Sequence, residues 1–284
     1  MAEIIDGKLV STTIREKIRN DTALFKQEYG ITPGLAVIIV GNNPASEVYV
    51  RNKAKACAEV GFESVVISMS ADITESELLT KIHELNADEK IHGILVQLPL
   101  PKHISEDLVI NSISPEKDVD AFHPVNVGKI LTGKYSFLPC TPAGVMSLLD
   151  YYNVQISGKK CVVLGRSNIV GKPMSLLLLE KNGTVTVCHS KTENLSDEIA
   201  SADILVVAIG KPEFIKGDMI KEGAVVVDVG INRTSEGKLV GDVEFASAFE
   251  KASLITPVPG GVGPMTITTL LKNTLTAAKN NIDE

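Results

Sequence analysis

The 284-residue chain has no tryptophan, and aromatic residues make up only 4% of it. A core must therefore come from Val, Ile, Leu and Ala, a balance that suits short aliphatic strands covered by helices. Cysteine is scarce as well. Cys57, Cys140, Cys161 and Cys188 show no CxxC spacing, which excludes a disulfide framework and points to reduced, mostly buried thiols of a cytoplasmic protein. The five histidines form neither HxxxH nor HExxH, so no metal site is expected. Basic residues are outnumbered, 28 against 35, and the net charge of −7 argues against nucleic-acid or membrane-surface binding. The longest apolar runs, such as residues 204–209 and 224–227, are strand-length, far short of a membrane span. The acidic N-terminus, Met-Ala-Glu-Ile-Ile-Asp-Gly-Lys, lacks a signal or transit pattern.

Hydrophobic residues amount to 44%, ample for buried cores, and the length suggests two domains. Strands alternate with helices. An amphipathic helix over residues 8–28 precedes strands at 34–40, 62–68 and 93–97, with helices around 46–56 and 75–85 between them. Pro99 and Pro101 end the third strand, because proline cannot continue a ladder. Residues 111–140 are interrupted by Pro115, Pro124 and Pro139 and read as irregular chain. A helix from Thr141, with Pro142 at its first position, leads to strands at 160–164, 184–187, 204–209, 224–229 and 253–257. Residues 232–240 read as a hairpin and 266–278 as a closing helix. The pattern predicts an α/β protein with a parallel sheet.

Two regions carry candidate chemistry. In the second half, Val162-Val163-Leu164-Gly165-Arg166-Ser167 is a strand running into a glycine turn and a helix, the setting in which free helix amides meet a pyrophosphate. It departs from GxGxxG, with Ser167 at the second glycine position. It also misses the triphosphatase pattern, having five residues between Gly165 and Gly171-Lys172 where four are needed, then Pro173. The next strand ends Val187-Cys188-His189-Ser190-Lys191 without the acid an NAD site usually carries, so Arg166 and Ser190 favour NADP. A tight turn with a capping serine is the plainer reading of the same segment.

In the first half, Tyr49 and Lys53 are four apart and share one helix face, although such pairs are common on plain surface helices. Gln97 closes a strand, and Asp118 and Asp120 lie in the irregular segment. Strand ends are where open parallel sheets bind ligands, and together these residues offer an aromatic platform, an amine, an amide and a carboxylate. Residues 259–264, Pro-Gly-Gly-Val-Gly-Pro, form a loop whose glycines allow close approach of main chain to a flat ligand, or serve as a connector.

Six segments, Tyr49 to Lys53, Val96 to Pro101, Lys117 to Asp120, Pro139 to Pro142, Gly165 to Ser167 and Pro259 to Thr266, together resemble the bifunctional methylenetetrahydrofolate dehydrogenase/methenyltetrahydrofolate cyclohydrolase family, in order and over essentially the whole chain. One departure is Ala121, where that family more often has glycine. The resemblance implies a folate-binding catalytic domain over residues 1–140 plus 266–284, and a Rossmann-like NADP-binding domain over 141–265, with a cleft between them. It implies NADP-dependent oxidation followed by hydrolysis in a cytoplasmic homodimer acting on a small-molecule folate. A monofunctional dehydrogenase is the alternative. A silent NADP-binding regulator would be favoured by loss of Lys53 or the glycine turn, and neither is lost. Another NADP oxidoreductase leaves the Tyr49, Lys53, Gln97 and Asp120 set unexplained. Carried over, Lys53 is the acid/base or electrostatic group, Gln97 tunes it, Tyr49 stacks on substrate and Asp120 accepts from the pterin. Val96, Leu98, Pro259, Gly260, Gly261, Gly263 and Pro264 line the folate side. Gly165, Arg166, Ser167, Ser190 and Ile231 hold NADP.

Overall fold

The computed structural model describes residues 1–282, the side chain of Ala45 apart. In chain order the elements are β1 (Glu3–Ile4), α1 (Gly7–Tyr29), β2 (Gly34–Val40), α2 (Pro44–Val60), β3 (Glu63–Met69), α3 (Glu75–Ala87), β4 (Gly93–Val96), α4 (Glu106–Ser112) and α5 (Pro124–Leu131). They continue with α6 (Cys140–Tyr151), β5 (Lys160–Leu164), α7 (Gly171–Glu180), β6 (Thr184–Cys188), α8 (Leu195–Ala200), β7 (Ile204–Val207), β8 (Val225–Asp228), β9 (Asn232–Arg233), β10 (Leu239–Val240), α9 (Phe245–Lys251), β11 (Leu254–Ile255) and α10 (Val262–Asn280). The chain divides into two compact units, one of Met1–Thr12 with Pro139–Thr266, the other of Thr13–Leu138 with Ile267–Glu284.

The unit of residues 13–138 is built on a three-stranded parallel sheet in the order β3-β2-β4. All seven residues of β2, Gly-Leu-Ala-Val-Ile-Ile-Val, are buried, as a central parallel strand covered on both faces requires. Ala36, Ile38, Ile82, Ile94 and Val109 belong to one apolar cluster that joins this sheet to α3 and α4. Helix α3 starts at a capping box, in which Thr74 Oγ1 accepts from Glu77 N at 3.2 Å and Glu77 Oε2 accepts from Thr74 N at 2.7 Å.

The other unit has a six-stranded sheet in the order β1-β11-β8-β7-β5-β6, parallel throughout. Strand β6 lies on one side of β5 and β7 on the other, which puts the topological switch point at the C-terminal ends of β5 and β7. Val162, Leu164, Leu205, Val207, Val226 and Ile255 are at most 2% exposed and form its core. The expected hairpin is present as antiparallel β9 and β10.

Several boundaries differ from the sequence expectation. Residues 1–12, read with the first domain, lie with the second unit, because Glu3 and Ile4 pair in parallel with Leu254 and Ile255. Strand β11 keeps only two of the five residues expected, sandwiched between β1 and β8. The segment read as irregular contains α5. There Pro124 opens the helix, where its missing N–H costs nothing, and His123 Nδ1 accepts from Val125 N at 3.1 Å. Helix α10 begins four residues earlier than expected, so Gly263 and Pro264 lie in its first turn. Pro142 likewise sits inside the first turn of α6, not at its first position.

Candidate active site

Helix α2 presents its Tyr49 and Lys53 from the unit of residues 13–138. Lys53 is only 7% exposed, and its Nζ donates to Gln97 Oε1 at 2.9 Å. The amide is held on both sides. Gln97 N donates to the Ile38 carbonyl at 2.8 Å, extending the β2–β4 ladder by one residue, and Gln97 Nε2 donates to the Leu98 carbonyl at 2.8 Å. With its N–H committed there, the amide has to turn its oxygen towards the lysine. Burial raises the Tyr49 phenol above its usual range, so its hydroxyl is protonated at neutral pH and the half-buried ring is a neutral face.

Asp120 is positioned by a loop locked from beneath. Ile94 N donates to the Lys117 carbonyl at 2.8 Å, which makes Asp118 a one-residue extension of the sheet beside β4. Asp118 is 2% exposed, and its Oδ2 accepts from His123 N at 2.8 Å and Asn126 Nδ2 at 2.9 Å. Burial nonetheless pushes the Asp118 carboxyl above its ordinary range. From α10, Asn273 Nδ2 donates to the carbonyls of Val119 at 2.8 Å and Leu138 at 2.9 Å. Asp120, Val96 and Leu98 line one pocket together with Ile113, Asp118 and Phe122. Ala121 carries φ +57, a conformation glycine adopts freely, and its methyl is buried.

In the other unit the glycine turn has the geometry of a phosphate-binding crossing. Gly165 has φ +128, and a Cβ there would lie 2.2 Å from the Ala208 carbonyl oxygen; one at Gly171 would lie 2.2 Å from the Gly165 oxygen. Strand, turn and helix therefore meet with no room for side chains. The Ser167 hydroxyl accepts from Val170 N at 3.1 Å and Gly171 N at 3.4 Å, which closes the turn that leads into α7. Strands β5 and β6 pair with Leu164 opposite Cys188. Arg166 and Ser190, each two residues further on and both exposed, follow neighbouring strand ends. His189 Nδ1 accepts from Lys191 N at 3.1 Å, which turns the chain there and leaves no acid at that end. This donor set fits a 2′-phosphate, which a carboxylate would repel.

Within residues 259–264 the glycines answer first to packing. A Cβ at Gly7 would lie 1.7 Å from the Gly261 carbonyl oxygen, and one at Gly261 would lie 2.6 Å from the Pro257 oxygen. Gly260 takes φ +110. Ile231, in the turn between β8 and β9, is 47% exposed.

Two family models match the chain: the tetrahydrofolate dehydrogenase/cyclohydrolase catalytic domain over residues 5–120, and the NAD(P)-binding domain of the same family over residues 139–282. The chain belongs to the tetrahydrofolate dehydrogenase/cyclohydrolase family. It is 62% identical to the bifunctional protein FolD of Acetivibrio thermocellus, over 98% of this chain and 97% of that one. The bifunctional enzyme FolD from Campylobacter jejuni matches with a TM-score of 0.97 and 52% identity, over 99% of this chain and all of the other. The Trypanosoma brucei FolD, a structure complexed with NADP cofactor and inhibitor, matches with a TM-score of 0.96 and 42% identity, covering 100% of this chain and 99% of that one. The bifunctional assignment stands over the monofunctional alternative, and NADP is the cofactor.

Some residues that organise this dehydrogenase/cyclohydrolase are not evident in its sequence. Asp118, read as a turn carboxylate, is a buried anchor, and Asn126 and Asn273 look like ordinary helix polar residues until their partners are known. Asp228 does leave a trace, a carboxylate closing the apolar run Val225-Val226-Val227.

Proposed function

We propose that this chain oxidises 5,10-methylenetetrahydrofolate to 5,10-methenyltetrahydrofolate with NADP⁺ and hydrolyses that product to 10-formyltetrahydrofolate, using Lys53 and Gln97 for the second step. The observation that carries the reading is the buried Lys53 Nζ held 2.9 Å from Gln97 Oε1 at a strand end. Loss of hydride leaves a carbon flanked by two nitrogens, whose cation is delocalised, so orientation supplies most of what that step needs. When bound, NADP⁺ supplies the hydride acceptor. Hydrolysis makes different demands. Water adds to the methenyl carbon and loses protons, one carbon–nitrogen bond breaks, and the released ring nitrogen gains a proton. Lys53 is a proton-bearing group at a fixed place for this exchange, and Gln97 sets its position. Tyr49 stacks on the folate, Val96 and Leu98 supply apolar walls, and Asp120 accepts from the two-donor edge of the pterin. Pro259, Gly260, Gly261, Gly263 and Pro264 contribute main chain on the folate side. Gly165, Arg166, Ser167, Ser190 and Ile231 hold the cofactor, Arg166 and Ser190 on the 2′-phosphate.

We further assign the active form to a cytoplasmic homodimer. Strand β3 is outermost in its sheet, runs seven residues in register with β2, and exposes Val65 and Val66 by 43% each. An exposed apolar edge of that length is a pairing surface for a second copy. The four cysteines are free and buried, in keeping with a reducing compartment. Among the described residues no helix is long and apolar enough to cross a membrane.

The test of the two-step reading mixes the purified protein with 5,10-methylenetetrahydrofolate and NADP⁺. NADPH and 10-formyltetrahydrofolate should both form. Stoichiometric NADPH with methenyltetrahydrofolate as the end product would leave only the dehydrogenase.

A further inference from the structure

Two carboxylates are buried side by side in the nucleotide unit. Asp228, 3% exposed, closes β8, and Asp242, fully buried, follows β10. Asp228 Oδ1 accepts from Gly230 N at 2.9 Å and Asp242 N at 3.0 Å, and its Oδ2 accepts from Val243 N at 2.8 Å. Asp242 Oδ2 accepts from Ile209 N at 2.7 Å and Gly210 N at 2.9 Å, and its Oδ1 accepts from Asn232 Nδ2 at 2.8 Å. The donors come from three separate stretches: the turn after β7, the turn after β8, and the chain leaving β10. The backbone is shaped to admit the acids. A Cβ on Gly230 would lie 2.3 Å from Asp242 Cγ, and one on Gly241 would lie 1.8 Å from Asp228 Oδ2.

Burying two carboxylates together is costly, and apolar packing would serve stability as well or better. What the pair fixes is the turn between them. Gly230 and Asn232 are each bonded to one of the two acids, and Ile231, the residue between, keeps its side chain 47% exposed. Its Cδ1 lies 3.7 Å from where a Cβ on Gly263 would stand, so main chain backs the isoleucine on that side. An exposed apolar side chain on a turn anchored before and after is a preformed surface for a flat ring.

We propose that Asp228 and Asp242 are positioning residues for hydride transfer, clamping the turns after β7 and β8 so that Ile231 forms a fixed shelf for the nicotinamide ring of NADP. The proposal rests on the placement of NADP given above. A loosened shelf lets the ring depart from its transfer geometry, and small misplacements are expensive in rate.

The test measures two activities in each variant: hydride transfer, with its KM for NADP⁺ and its primary deuterium isotope effect, and hydrolysis of methenyltetrahydrofolate without cofactor. Asp242→Asn should lower the ratio of hydride transfer to hydrolysis about tenfold, raise KM for NADP⁺, and enlarge the isotope effect. Ile231→Ala should shift the same ratio in the same direction. A drop for Ile231→Ala but not for Asp242→Asn overturns the clamp and leaves the cofactor placement standing. No drop for either overturns both. Parallel loss of the two activities in Asp242→Asn, with an unchanged isotope effect, also overturns the clamp, since a general structural defect acts that way. If Asp242→Asn does not fold, Asn232→Ala decides. It removes a single donor and should lower the ratio about threefold; an unchanged ratio overturns the proposal.

Discussion

The two units bury charge near their candidate sites in opposite ways. In the catalytic unit, Lys53 gives an N–H to the side-chain amide of Gln97. In the nucleotide unit, Asp228 and Asp242 accept six N–H donors between them, so their oxygens are taken up by backbone and Asn232. The groups there that face solvent, Arg166 and Ser190, are free to meet a ligand. A side chain set against another side chain at a strand end is placed for chemistry, whereas acids whose oxygens are taken up mostly by backbone N–H groups hold shape.

The comparison yields predictions that differ in size. The largest concerns pH. Burial pushes the Asp228 carboxyl up to about 7, with the adjacent Asp242 adding to the rise and three backbone N–H groups opposing it. The folded protein therefore holds a proton that the unfolded chain, with an ordinary carboxyl near 3.8, has already lost. Stability falls as pH rises from about 4 to about 7, by an amount of order 4 kcal/mol for this group. Asp228→Asn should remove that part of the decline, which urea midpoints at pH 5 and pH 8 would reveal. An identical decline in both proteins would mean that Asp228 is charged throughout. Next in size, Arg166→Ala should raise KM for NADP⁺ about 10- to 100-fold, the worth of one charge-assisted phosphate pair, with far less change for NAD⁺. Equal loss for both cofactors would remove Arg166 from the 2′-phosphate. The smallest effect belongs to a residue in neither site. Thr74→Ala breaks the capping box of α3 and should cost about 1 kcal/mol of stability while leaving the ratio of the two activities unchanged.

Much of the frame can be read directly from the chain. Residues 34–40 and 160–164 are aliphatic runs of strand length bounded by glycine or charge, and buried parallel strands look like that whatever the tertiary context. Lys53 is legible as a candidate from its helix spacing to Tyr49, and Gln97 from a proline-ended strand, whereas their pairing is implied only by the family resemblance. Strands β1 and β11 were harder, because two residues become a strand only through their neighbours in the sheet. Helix α5 was hidden by Pro124, which breaks a helix in its interior yet starts one at its first position. Asp228 and Asp242 stand 14 residues apart, and their shared function of gathering backbone N–H groups depends on a turn geometry with no side-chain pattern of its own.

The central claim is that Lys53 performs the hydrolytic step and is separable from the hydride step. Its most direct test is Lys53→Met, mixed with 5,10-methylenetetrahydrofolate and NADP⁺ while NADPH and methenyltetrahydrofolate are followed in one cuvette. The account predicts that NADPH still forms at a measurable rate and that methenyltetrahydrofolate accumulates because hydrolysis is lost. Hydrolysis that keeps pace with NADPH formation in this variant would contradict it.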